Sequence, residues 1–149
     1  MIKHTISDFE YVEAIYSGGL AKRADEEGLV SLSLPERSVL LAWWAKGEID
    51  NGGFALLYSH DTDIDVIAAA FREVGCPDLA EACQASKNVF PVSLVPPTVS
   101  ERTEYLDSSD DPWLPYDKVV WAQDRDFDRT VAQYIQENRE YFIRYQKHV

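Results

Sequence analysis

The chain has 149 residues, 46% hydrophobic and 12% aromatic, with 14 basic against 26 acidic side chains and a net charge of −12. That length and apolar content suit a single domain over residues 1–149 with a buried core, not a disordered chain. The charge excludes a surface built to neutralise phosphates, so neither direct nucleic-acid binding nor docking on an anionic membrane is expected; a basic protein partner, or plain solubility, fits it.

The helical signals begin at Ser7-Asp8-Phe9-Glu10, a capping box in which Ser7 accepts from the third helical N–H and Glu10 reaches back. Phe9, Val12, Ile15 and Tyr16 follow at three- and four-residue spacing and predict one buried face, closed at Gly18-Gly19. Leu20 to Glu27 predicts a short second helix stopped by Gly28. Ser33-Leu34-Pro35-Glu36 repeats the capping box, with Pro35 in the first turn, where its missing N–H costs nothing. The helix that follows carries Val39, Leu40, Trp43 and Trp44 to about Ile49. Adjacent tryptophans point about 100° apart on a helix, so one belongs to the core and the other to an edge.

The block Glu48-Ile49-Asp50-Asn51-Gly52-Gly53-Phe54 interrupts this pattern. Each glycine costs about 1 kcal/mol against alanine inside a helix, so a pair of them predicts a sharp break at Asn51–Gly53. Phe54 anchors the chain after the bend, and Glu48 or Asp50 is expected to accept the N–H groups that the bend frees. Phe54, Leu57 and Tyr58 form a short helix beyond it.

Thr62 is predicted to cap the next helix, with Asp63 and Asp65 in its first turn facing the positive helix end. Its apolar face is Ile64, Ile67, Ala68, Phe71 and Val74, and Gly75 stops it. Pro77 opens a helix that turns Leu79, Ala82, Cys83 and Ser86 inward. Phe90 to Pro97 holds three prolines and admits at most a short strand over Val92–Val95. A helix is expected from Ser100 to about Asp107, a polar loop over residues 108 to 118, and a last helix from about Asp124 to Gln146 bearing Phe127, Val131, Tyr134, Ile135, Phe142 and Tyr145. With no alternating runs, the fold class is all-α, a single compact multi-helix domain.

Motifs for chemistry are missing from this pattern. Asp61-Thr62-Asp63-Ile64-Asp65 starts like a calcium loop, but the sixth and twelfth positions are Val66 and Arg72 where Gly and Glu are needed. His4, His60 and His148 have no ligand-spaced partners and read as lone surface histidines. Cys76 and Cys83 lie two helical turns apart, about 10 Å, too far for a disulfide, and read as free buried thiols. No nucleophile elbow or phosphate loop occurs. The sequence therefore predicts no catalytic, metal or cofactor residues. The polar opening and the lack of a long apolar run predict a cytoplasmic protein.

Acidity is concentrated. Residues 48–65 hold Glu48, Asp50, Asp61, Asp63 and Asp65 with no basic side chain. Residues 101–128 hold nine acidic residues against Arg102, Lys118 and Arg125, a net −6. Carboxylates fixed on helices at phosphate-like spacing can imitate a DNA backbone, and a solvated acidic face is the plainer alternative. The candidate partner-binding residues are Asp61, Asp63, Asp65, Asp110, Asp111, Asp124, Asp126 and Asp128.

The stretch from Leu41 through Glu48 to Asn51-Gly52-Gly53-Phe54, continued by Tyr58 and by Phe71-Arg72-Glu73-Val74-Gly75-Cys76, resembles a bacterial domain family of unknown function that includes the 19 kDa DNA-mimic protein of Neisseria. Pro35-Glu36-Arg37 and the character of Tyr134-Ile135-Gln136-Glu137-Asn138 with Phe142 fit as well. Ala55-Leu56-Leu57 departs from the more polar segment expected there. The resemblance implies an all-helical fold, a homodimer, no catalysis and a basic DNA-binding protein, such as a transcription regulator, as partner. An immunity or antitoxin role against a nuclease is the alternative that acidity alone also suits.

Overall fold

The structure is a computed structural model that describes residues 5–107 and 110–148. The expectation for His4 and that for the side chain of His148 fall outside what it describes. The described residues are helical throughout, with turns between and no strand. In chain order the helices are α1 (Asp8–Ile15), α2 (Ala21–Glu27), α3 (Leu34–Tyr58), α4 (Ile64–Glu73), α5 (Pro77–Ser86), α6 (Val99–Leu106), α7 (Leu114–Trp121) and α8 (Asp124–Glu137).

Both capping boxes form, Ser7 with Glu10 and Ser33 with Glu36. Between α1 and α2 the chain passes through a π-helical turn, Tyr16–Leu20, and Gly19 within it leaves helical angles at φ 149°, so the break expected at Gly18-Gly19 is there. On α1, Val12 and Ile15 are buried while Phe9 stays 53% exposed, so the expected inward face lacks its first member. Trp43 is core and Trp44 is an edge residue that meets the His60 ring at 5.4 Å.

Helix α3 is the centre of the fold. It buries Val39, Ala42, Trp43, Ala45 and Ile49 before the break, and Phe54, Leu57 and Tyr58 after it. Helices α4 and α7 pack against it, α5 packs on both α4 and α7, and α1 packs on α8. Asp63, not Thr62, caps α4, accepting from the Asp65 and Val66 N–H groups. The Thr62 hydroxyl instead donates to the Leu57 carbonyl at 3.3 Å. Thr98 caps α6, two residues ahead of the expected Ser100. The segment Phe90–Pro97 forms no strand: Val92 and Ser93 take left-handed backbone angles and turn the chain. Helix α8 ends at Glu137, where Asn138 leaves helical geometry, and short 3-10 turns carry Phe142 and Tyr145 back into the core.

The break in α3 is where sequence and packing meet. Gly52 leaves helical angles and Gly53 takes φ +70°, a left-handed conformation that only glycine adopts without strain. The N–H of Phe54 donates to the carboxylate of Asp117 at 2.8 Å. The carbonyl of Ile49, four residues before Gly53, accepts the indole N–H of Trp121 at 2.9 Å. Asp117 and Trp121 are one turn apart on α7, so one face of that helix serves both sides of the break. The expected polar loop over 108–118 is thus corrected: from Leu114 it is helix, with Pro115 in the first turn and Trp113, Asp117 and Val120 buried. Trp113 locks its start, donating to the Ser86 carbonyl at 3.0 Å and packing on Tyr58 and Phe90. The expectation that Glu48 or Asp50 serves the freed N–H is corrected too, since both face other partners.

Asp117 is 1% exposed. Burial, with the Asp111 charge behind it, raises its pKa to about 6 against the pull of the Phe54 N–H. A folded-state value above the unfolded one means the protonated carboxyl favours the fold, and that contribution drains away as pH rises through about 6. Two predictions follow from this geometry. A Cβ at Gly53 would lie 2.4 Å from an Asp117 oxygen, whereas one at Gly47 meets nothing within 4 Å. Gly53→Ala should therefore cost about 3 kcal/mol in denaturant unfolding, part left-handed strain and part displacement of Asp117, while Gly47→Ala should add ~0.5–1 kcal/mol. The variant Asp117→Asn keeps an oxygen for the Phe54 N–H but cannot ionise. Its stability relative to wild type should improve by up to about 3 kcal/mol between pH 4 and pH 7, and a gap that stays flat with pH would contradict the account.

Candidate functional site: the acidic surface

The predicted acidic residues fall into separate groups. Asp61, Asp63 and Asp65 line an open groove of about 510 Å³ at the start of α4, together with Lys87, Leu94 and Arg102. Asp63 is occupied with capping. Asp65 accepts from Lys87 at 2.9 Å and Gln84 at 3.2 Å, and these bonds, Lys87 first, hold its carboxyl below the ordinary range. Arg102 is 3% exposed and spends its donors on the carbonyls of Pro96, Tyr58 and His60, which closes the C-terminal end of α3. This group is therefore acidic with cations interleaved.

Asp111 accepts the Trp113 N–H at 3.1 Å and starts α7, and Asp110 beside it is exposed. Asp126 is exposed and pairs with Arg129 at 2.6 Å. These roles are local and would serve any helical protein.

Asp124 and Asp128 belong to a different arrangement, which gathers carboxylates from three helices. Lys46, 4% exposed, holds both oxygens of Asp50 at 2.8 and 2.7 Å and is hydrogen-bonded to Asp124 as well. Its Nζ lies 5.6 Å from the Phe127 ring. Asp128 feels Lys46 and the charges of Asp124, Asp50 and Asp8. Burial, then those neighbouring carboxylates, keep Asp128 above the ordinary aspartate range in spite of Lys46. Burial does the same for Asp50, with Asp124 adding to it and Lys46 opposing it. Glu13 completes the arrangement from α1, accepting the Trp43 indole N–H at 2.7 Å. One buried lysine thus binds Asp50 and Asp124 and acts on Asp128, and Asp8 adds its charge at Asp128.

Of the break motif, Glu48 pairs with His60 at 2.9 Å, Asn51 is exposed beside the Lys46 groove, and Gly52, Gly53 and Phe54 form the bend itself. Sequence reasoning missed Lys46, Asp8, Glu13 and Asp117. Lys46 and Asp50 stand four apart on a helix, a pairing signal present in the chain, whereas Asp8, Glu13 and Asp117 reach their places only through tertiary packing. Burial pushes the Cys83 thiol up to about 12 and the Cys76 thiol up to about 11, so neither forms a thiolate at neutral pH. No group of three or more His, Cys, Asp or Glu that could hold a metal occurs among the described residues, and no helix there is long and apolar enough to cross a membrane.

Fold and surface together define an acidic, all-helical protein organised around a broken central helix. A family model described as DMP19-like protein matches residues 30–138, and the chain belongs to that family. Comparisons with curated proteins and with solved structures each found no match.

Removing the lysine tests how the carboxylates are held together. Lys46→Met should lower stability by about 1 kcal/mol at neutral pH, since the aspartates left without their partner are open to water, Asp50 at 38% and Asp124 at 66%. That loss should shrink below about pH 4, where the aspartates protonate. A loss of equal size at both pH values would mean that Lys46 matters through its aliphatic packing alone.

Proposed function

We propose that this protein acts without catalysis, by engaging a basic DNA-binding protein and standing in for DNA on its surface. The observation that carries this reading is the gathering of Asp50, Asp124 and Asp128 about one lysine, with the charge of Asp8 reaching Asp128 from a third helix. Duplex DNA presents one charge per about 1.7 Å of axis. A surface evolved to meet such a density finds in this patch a negative field fixed on rigid helices. Membership in the DMP19-like family and the net charge of −12 point the same way.

Association driven by opposite charge is steered at long range and screened by salt. The tagged protein should retain a DNA-binding protein from native lysate at about 50 mM salt and release it at about 500 mM. Duplex DNA should displace that partner in competition. Neutralising Asp8, Asp124 and Asp128 together should weaken retention at the lower salt, with Asp50 left in place to hold Lys46. A partner that survives high salt, or one that binds this protein and DNA simultaneously, would sink the mimicry reading.

A further inference from the structure

We propose that the groove between α1, α3 and α8 receives an arginine side chain of the basic partner, against the wall formed by Phe9 and Trp43 and among the carboxylates of Glu13, Asp50 and Asp128. This rests on the basic-partner reading above and names the site and the residue type that it would take.

Three observations meet here. The first is Phe9, a residue whose spacing aims it inward but which is 53% exposed. It lies 5.6 Å from Trp43 at 39°, and Trp43 stacks on Phe127 at 5.6 Å and 18°. The aromatic tier of the core thus continues out to an exposed residue that lines the groove. The second is Gly47. It lies inside α3 away from the break and takes no left-handed angle, and a Cβ there would touch nothing within 4 Å. Glycine in a helix interior costs about 1 kcal/mol, and packing gives no return for it. What the missing side chain does is leave the groove open, with a volume of about 330 Å³. The third is charge: Glu13, Asp50 and Asp128 line the groove beside the single cation Lys46, itself bound by Asp50 and Asp124.

These features select the occupant. Carboxylates around an aromatic wall exclude anions and favour a cation on the ring face. A planar guanidinium stacks on aromatic rings, pairs with carboxylates through two parallel N–H groups and sheds water more easily than an ammonium, so arginine fits better than lysine. The fold already uses this chemistry internally, with Lys46 over Phe127 and between two aspartates. Phe9 and Glu13 lie outside the matched span 30–138, so the outer wall is a property of this chain and not of the matched segment.

The test uses the full chain and two acetylated pentapeptide amides, Gly-Gly-Arg-Gly-Gly and its lysine counterpart, titrated at low salt while the indole N–H signal of Trp43 is followed by NMR. The arginine peptide should shift that signal and bind several-fold tighter than the lysine peptide. Phe9→Ala and Gly47→Leu both leave the net charge unchanged. Each should weaken arginine binding about fivefold or more, with thermal unfolding confirming that the variants are folded. Wild-type binding retained in both variants overturns the groove as the site and leaves the basic-partner reading standing. Equal affinity for the two peptides overturns the guanidinium assignment. No binding of either peptide overturns this inference, and if lysate capture at low salt also fails, the basic-partner reading falls with it.

Discussion

The contact between Asp117 and the broken segment of α3 is the constraint on which the rest of the structure depends. A helix interrupted in the core exposes backbone N–H and C=O groups that water cannot reach, and each such group left unmet costs on the order of 1–3 kcal/mol. Helix α7 supplies both partners, an acceptor in Asp117 for Phe54 and a donor in Trp121 for Ile49. Its position then fixes Trp113 between α5 and the second half of α3, where Tyr58 and Ser86 share a hydrogen bond of 2.7 Å. The close approach of the carboxylate to Gly53 explains why no side chain is admitted there. A charge-bearing group was used where a neutral one would serve, and burial has raised its pKa towards neutrality.

The surface is organised by a second buried polar group. A chain with net charge −12 would be expected to spread its carboxylates apart, yet Asp50, Asp124 and Asp128 gather where Lys46 is withdrawn from solvent, with Asp8 in charge range of Asp128. The lysine lowers their mutual repulsion without cancelling it, which leaves a concentrated negative patch held in fixed geometry. The group near α4 differs because Lys87 and Arg102 dilute it. Acidity that looks continuous along the sequence is thus divided in space into a tempered groove and a denser one.

Much of the fold was legible from local chemistry. The two capping boxes, the proline starts of α3 and α5, and the break at Gly52-Gly53 each follow from short-range rules, and each forms. The family resemblance carried by the Asn51–Phe54 block agrees with the match over 30–138. What failed was non-local or ambiguous. Helix α7 hid behind polar residues and Pro115, though proline in a first turn is itself a helix signal. Phe142 and Tyr145 fall at helical spacing after α8 but reach the core through 3-10 turns, because Asn138 ends the helix first. Thr62 and Asp63 are both good caps, and only backbone geometry separates them. The pairing of Phe54 with Asp117 spans 63 residues, and the meeting of Asp8 with Asp128 spans most of the chain, so no window of sequence could show either.

The turns after α8 carry a consequence for how the chain acquires its structure. Tyr145 hydrogen-bonds Glu36 across 109 residues, Arg23 reaches Glu36 at 2.5 Å from the other side, and Gln146 meets Tyr11 across 135 residues. Glu36 is deeply buried, and burial would push its carboxyl up; the Tyr145 and Ser33 hydrogen bonds and the Arg23 charge outweigh that and hold it below the ordinary range. One clasp of that carboxylate is therefore synthesised last. At roughly 5–20 residues per second, a ribosome needs on the order of 5–20 s between Glu36 and Tyr145. Until then Glu36 lacks Tyr145 and α1 lacks most of α8, so the first thirty residues have only α3 to dock on, through Glu13 and Phe9 on Trp43 and Arg23 on Glu36. The packing of the beginning of the chain is completed only when residues 124–146 arrive to close the loop, and these contacts, the longest in sequence, carry the largest closure entropy.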